Sequence, residues 1–159
     1  AALLNAYFDG MSDIIAAHDG SIDKFIGDAV VALFGALTTE ADHALNAVLC
    51  AVAMDAFAED FRRSHAHLGM GVTRIGVHSG AASVGNFGGR KRFDYTAMGD
   101  AMNTAARLES INKALGTRVT VSEAARRALA AEDGPGQGDP LVALHLTRLH
   151  AGRTDDRIA

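Results

Sequence analysis

The sequence predicts an α+β fold in which helices cover a mixed, mostly antiparallel sheet. Three observations lead there. Short apolar runs of strand length alternate with longer segments of helical period. Turn signals, Gly27-Asp28 and Ser79-Gly80, stand between neighbouring strands, and helices separate the strand pairs. The chain has 159 residues, enough for one domain, and is 48 % hydrophobic and 21 % charged, which suits a packed core rather than disorder. A formal net charge of −4 argues against a general nucleic-acid binder. A single cysteine, Cys50, permits no internal disulfide and fits a reducing, cytoplasmic compartment. No stretch reaches the ~18 apolar residues of a membrane span, and no secretory signal is present. The first residues already lie inside a helical pattern, so residues 1–159 are expected to be an N-terminally truncated domain.

Leu3, Leu4, Tyr7, Phe8, Met11, Ile14 and Ile15 follow the spacing of one helix face, predicting a helix over 2–17. Gly20, in His18-Asp19-Gly20, is available as its left-handed cap. The six-residue run AVVALF at 29–34 is a buried strand, paired through Gly27-Asp28 with a first arm holding Ile22, Phe25 and Ile26. Thr38 or Thr39 opens a second helix, with a stripe through Leu45, Val48, Leu49, Val52, Phe57 and Phe61 and an end near Ser64. Cys50 falls inside this apolar pattern and reads as a small core residue. His65 and His67 read as loop histidines.

Strands over 72–78 and 81–87 are expected to pair through Ser79-Gly80. Gly85, Gly88 and Gly89 loosen the chain into a tip with Arg90, Lys91 and Arg92, and 93–98 is a short strand carrying Asp94 and Thr96. A third helix covers 101–115 and stops at Gly116, its apolar face running through Ala101, Ala105, Leu108, Ile111 and Leu115. Asn103 and Arg107 are one turn apart and share a different face. A strand at 119–121, a helix capped by Ser122 and ending near Ala131, a Gly/Pro loop over 133–140 and a strand over 141–149 follow, with a second short strand toward the C-terminus.

Lys24 and Asp28 surround the tip of the first hairpin four residues apart. A carboxylate there can hold a hard divalent cation, and the lysine can donate to an acceptor on a ligand. A turn aspartate beside a solvated lysine satisfies the same spacing, as an exposed polar pair does for Asn103 and Arg107.

Three segments, IDKFIGDAVVALFG at 22–35, RIGVHSGAASVGNFG at 74–88 and FDYTAMGDAMNTAARLE at 93–109, with LLNAYF near the start, resemble the catalytic domain of class III adenylyl/guanylyl cyclases. The resemblance implies the ferredoxin-like α+β fold of that family and a bacterial-type adenylyl cyclase making 3′,5′-cyclic AMP and pyrophosphate from ATP. Asp28 then looks like one of two aspartates holding two Mg²⁺ or Mn²⁺ ions on the triphosphate. Lys24 stands where the purine edge is read, with Lys typical of adenine-selective and Glu of guanine-selective members. Its ammonium, a donor only, suits the adenine N1 acceptor. Thr96 matches the second purine-reading position, Asn103 the residue that orients the ribose, and Arg107 the one that stabilises the phosphate under attack. In the family these groups meet across a head-to-tail dimer, which here implies a homodimer with two equivalent sites. A regulatory or sensor domain elsewhere in the parent protein is also expected.

Two departures qualify the resemblance. The family's other metal aspartate lies on a strand before the opening helix, in a segment this sequence does not contain. Without that central strand, open sheet edges inviting unusual pairing are expected. Near the C-terminus, His150, Arg148 or Arg153 stands where the family offers a Lys to the triphosphate. These departures motivate an alternative: a catalytically impaired cyclase-like module for dimerisation or nucleotide sensing.

Overall fold

Ala29–Phe34 forms strand β2, and every one of its six residues is buried. Val30, Ala32 and Phe34 face one side of the sheet, while Ala29, Val31 and Leu33 face the other. Burial on both faces is why this strand reads as a continuous apolar run rather than an alternating one. The computed structural model describes residues 2–36, 42–89, 92–132 and 142–148. Around β2 run helix α1 (Ala2–Ala17), strand β1 (Ser21–Ile26), helix α2 (His43–Ser64), strands β3 (Arg74–Gly80), β4 (Ser83–Gly89) and β5 (Arg92–Met98), helix α3 (Asp100–Leu115), strand β6 (Val119–Val121), helix α4 (Glu123–Glu132) and strand β7 (Val142–Arg148).

The larger sheet has the order β1-β2-β7-β3-β6 and is antiparallel except for the β3–β6 pair; β4 and β5 form a separate two-stranded sheet. Helices α1, α2 and α4 bury Tyr7, Met11, Ile15, Ala47, Met54 and Ala125 against one face of the larger sheet. On the opposite face, Ala97 of β5 and Ala105 of α3 pack over Ala29, Val31 and Leu33. The α+β class expected from the sequence is therefore observed, as are the first hairpin and the order of helices and strands.

Several expectations change. The strands β3 and β4 do not pair with each other: β3 lies between β7 and β6, and β4 pairs with β5. Gly80 is not a turn glycine; it ends β3, where a Cβ would lie 2.9 Å from the tip of the His78 ring and 3.3 Å from Ala101 Cβ, a tight fit. At the end of α1 the left-handed residue is Asp19, with φ +58°, a conformation that Asp tolerates better than most residues. Gly20 is needed instead because a Cβ would sit 2.7 Å from the Phe34 ring.

The stripe expected on α2 is also displaced. Val48, Phe57 and Phe61 pack inward, but Leu45, Leu49 and Val52 are exposed, and Ala44, Ala47, Cys50, Ala51 and Met54 take the buried face. On α3 the buried residues are Ala101, Ala105, Glu109 and Asn112, whereas Ile111 and Leu115 are exposed. Small residues permit close approach of helix to sheet, and that selects the face.

Strand β7 pairs with both β2 and β3, so it fills the sheet centre where open edges were expected. Helix α2 begins at His43 with Asp42 at its N-cap position, while Thr38 and Thr39 lie outside the described residues. The same is true of Arg90, Lys91, His150, Arg153, the 133–140 loop and any strand beyond residue 148. Among the described residues, no helix is long and apolar enough to cross a membrane.

Candidate active site

The β1–β2 hairpin turns through Gly27 and Asp28, closed by the Ile26–Ala29 pair. Gly27 has φ +61°, which glycine adopts without steric cost. Asp28 is half-buried at this tip, where it leads directly into the buried strand.

Strand β1 is irregular between Ile22 and Lys24, which pair with the adjacent residues Ala32 and Val31, leaving Asp23 as the extra residue of a β-bulge. The bulge has a chemical consequence. In a regular strand, consecutive side chains point to opposite faces. Here Asp23 and Lys24 both reach Thr96 on β5. The Lys24 ammonium donates to Thr96 Oγ1 at 2.6 Å, and Thr96 Oγ1 donates to Asp23 Oδ2 at 3.0 Å. Asp23 Oδ1 accepts the Ala97 N–H at 3.1 Å, and Lys24 Nζ lies 3.2 Å from Asp23 Oδ2. The Asp23 side chain is 2 % exposed and that of Lys24 39 %, so the carboxylate forms the floor and the ammonium the accessible edge.

Helix α3 is fixed by two devices. Gly76 on β3 lies directly beneath it, since a Cβ there would come within 2.4 Å of Ala105 O and 2.5 Å of Glu109 N. At the other end, the fully buried Asn112 donates through Nδ2 to Ile75 O at 2.9 Å. Its Oδ1 accepts from the hydroxyls of Thr117 and Thr120, each at 2.7 Å. Held in this way, α3 carries Asn103 and Arg107 one turn apart on its exposed face.

Among the residues singled out from the sequence, Lys24 and Thr96 are thus brought into contact across two sheets. Asp28 stands at the adjoining hairpin tip. No hydrogen bond among the described residues links Asn103 or Arg107 to the Lys24–Thr96 pair. Sequence reasoning missed Asp23. Its signal was the pair of consecutive charged residues in Ile22-Asp23-Lys24-Phe25, which breaks strand alternation and so points to a bulge.

Asp28 offers a hard oxygen donor. Among the described residues, no three His, Cys, Asp or Glu side chains gather to hold a metal ion. One carboxylate suits an ion that takes its remaining ligands from substrate phosphates and water, as Mg²⁺ commonly does.

Known proteins resemble the chain in sequence and in fold. The model of the adenylate and guanylate cyclase catalytic domain matches residues 1–137. Adenylate cyclase 1 of Rhizobium meliloti (strain 1021) is 44 % identical over 125 residues, covering 77 % of this chain and 19 % of its own length. Among solved structures, the adenylyl cyclase CyaB from P. aeruginosa superposes with a TM-score of 0.70 at 28 % identity, covering 97 % of this chain and 83 % of that one. The guanylyl cyclase Cya2 superposes with a TM-score of 0.69 at 29 % identity, covering 98 % and 82 %.

Proposed function

Because the chain belongs to the adenylate and guanylate cyclase catalytic domain family, we propose that it converts ATP to 3′,5′-cyclic AMP and pyrophosphate at sites shared between two copies of itself. The observation that carries the adenine assignment is the 2.6 Å bond between Lys24 and Thr96. Structural neighbours include both adenylyl and guanylyl cyclases, so the base choice rests on these two side chains. Lys24 donates to the adenine N1 acceptor; guanine presents an N1–H there, and two donors would face each other. Thr96 takes the exocyclic amine.

Cyclase domains are generally dependent on divalent metals, and Asp28 is the carboxylate that would hold Mg²⁺ or Mn²⁺, two ions per site in our reading. Such ions, when bound, would make the ribose 3′-hydroxyl more acidic and neutralise the departing pyrophosphate. In this proposal Asn103 orients the ribose so that its 3′-oxygen lies in line with the α-phosphorus. The new bond forms from that oxygen to the α-phosphorus, the bond from that phosphorus to the bridging β-phosphate oxygen breaks to release pyrophosphate, and the hydroxyl proton passes to solvent water. Arg107, permanently charged and planar, stabilises the charge that builds on the α-phosphate oxygens.

The test is a cyclic AMP assay of the full-length protein with ATP and Mn²⁺, set against Arg107→Ala. Loss of one donor to a transition-state oxyanion lowers turnover by roughly 10²–10³-fold. Turnover in the variant equal to that of the parent would refute the role of Arg107, and no cyclic AMP from either would refute the activity.

A further inference from the structure

We propose that Asp23 determines base specificity by fixing the polarity of the Thr96 hydroxyl, an inference that rests on the assignment of Lys24 and Thr96 to the purine edge. A hydroxyl has one hydrogen to give and two lone pairs that accept. In this site the hydrogen is committed, because Thr96 Oγ1 donates to Asp23 Oδ2 at 3.0 Å. The competing acceptor, Ala97 O, is 3.5 Å away and uncharged, so the carboxylate wins on distance and on charge. One lone pair receives the Lys24 ammonium at 2.6 Å. What remains for a ligand is a single lone pair, and Thr96 can therefore only accept. It reads the 6-amino group of adenine and meets the 6-oxo group of guanine lone pair to lone pair.

The carboxylate is itself immobilised. The Ala97 N–H holds its second oxygen at 3.1 Å, and its side chain is 2 % exposed, so it cannot swing out to solvent and release the hydroxyl. It also orients Lys24, whose nitrogen lies 3.2 Å from Oδ2. One ammonium hydrogen is given to Thr96, and the charge of Asp23 beside it holds the group in place while its other hydrogens remain for the base. The bulge at Asp23 makes this possible, since without it Asp23 and Lys24 could not share one partner. Asp23 touches no substrate atom in this scheme. It is a positioning residue.

Asp23→Asn tests the idea with almost no change of shape. The amide oxygen can keep the Ala97 N–H, while the amide nitrogen donates to Thr96 and frees the hydroxyl to donate outward. The ratio of kcat/KM for ATP to that for GTP is measured for the parent, Asp23→Asn, Thr96→Val and the double variant, with cyclic nucleotide as product. Asp23→Asn should lower the ratio roughly tenfold, on the scale of one mismatched hydrogen bond. Thr96→Val should lower it similarly, and adding Asp23→Asn to Thr96→Val should change it by clearly less than it changes the parent, the remainder being the hold of Asp23 on Lys24. An unchanged ratio in Asp23→Asn, an equal loss with both nucleotides, or an undiminished effect of Asp23→Asn on the Thr96→Val background would each overturn the inference.

Where Asp23→Asn does not fold, Asp23→Ser takes its place, since it too removes the carboxylate acceptor from Thr96, and a ratio equal to the parent's refutes the scheme. Equilibrium binding of ATP and GTP by calorimetry separates this inference from the activity. A parent that makes no cyclic nucleotide but prefers ATP, with that preference lost in Asp23→Asn, removes the activity and keeps the specificity mechanism. Binding of neither nucleotide removes both.

Discussion

His78 on β3 is half-buried, and its Nδ1 lies 2.9 Å from the hydroxyl of Ser122, which also accepts the Ala125 N–H at 3.1 Å at the start of α4. Burial lowers its pKa below the ordinary 6.5, and nearby Asp100 offsets only part of that. The unfolded chain therefore binds a proton at this site at higher pH than the folded one. Stability from the neutral ring is fully present above 6.5 and is lost as pH falls below that value toward the lowered folded pKa. Denaturant midpoints recorded between about pH 7.5 and about pH 5 should fall more steeply for the parent than for His78→Gln. Parallel slopes would remove the ring from the account. Cys50 illustrates the same effect on a thiol: burial pushes its pKa up to about 12, in line with the core role read from its helical setting.

Among the elements, α3 has the most to lose from a small change, because it bears Asn103 and Arg107 and lies against β3 at Gly76. The atoms that a Cβ at Gly76 would strike are backbone, Ala105 O and Glu109 N, and backbone cannot rotate away as a side chain tip can. Gly76→Ala should cost about 1–3 kcal/mol of stability and lower turnover by shifting the helix. Gly85→Ala is the control, since its nearest atom beyond its chain neighbours is on the Phe87 ring at 4.0 Å. Equal denaturation midpoints for the two variants would refute the packing argument. Legibility in the sequence follows the same division between local and distant causes. The run at 29–34 and the Gly27-Asp28 turn were readable because a few adjacent residues determine them. The pairing of β4 with β5 was not, because Ser79-Gly80 fits a hairpin turn locally while the partner of β3 is β7, more than sixty residues away. Leu45, Leu49 and Val52 looked like a core stripe by period alone, yet the alanines beside them decide which face of α2 approaches the sheet. At the site, Lys24, Asp28, Thr96, Asn103 and Arg107 came from the motifs, and Asp23 went unnoticed because its role depends on a bulge and on a strand more than seventy residues away.

For the whole molecule, the placement of the proposed site residues bears on assembly. Asp28 stands on the β1–β2 tip and Asn103 and Arg107 on the exposed face of α3. Phe25 and Ile26 on β1 and Tyr95 and Met98 on β5, the strands that hold Lys24 and Thr96, are about half exposed (48 %, 52 %, 55 % and 52 %). Apolar surface of this kind beside polar groups is material for a subunit interface. In a symmetric pair with shared sites, each site takes Asp28 from one copy and Arg107 from the other. Asp28→Asn alone and Arg107→Ala alone should then each be nearly inactive, since every site in either variant has lost a member. Mixing equal amounts and allowing exchange changes this. Half of the pairs become mixed, and each mixed pair holds one site with both residues intact and one with neither. Activity should rise to about a quarter of the parent's, and it should fall on dilution as the pairs separate. A site built within a single chain predicts no gain on mixing, because each copy keeps its own defect. Sedimentation of the same mixtures supplies the check that exchange has occurred. Exchange without recovered activity would place all of the chemistry inside one copy and end the shared-site proposal.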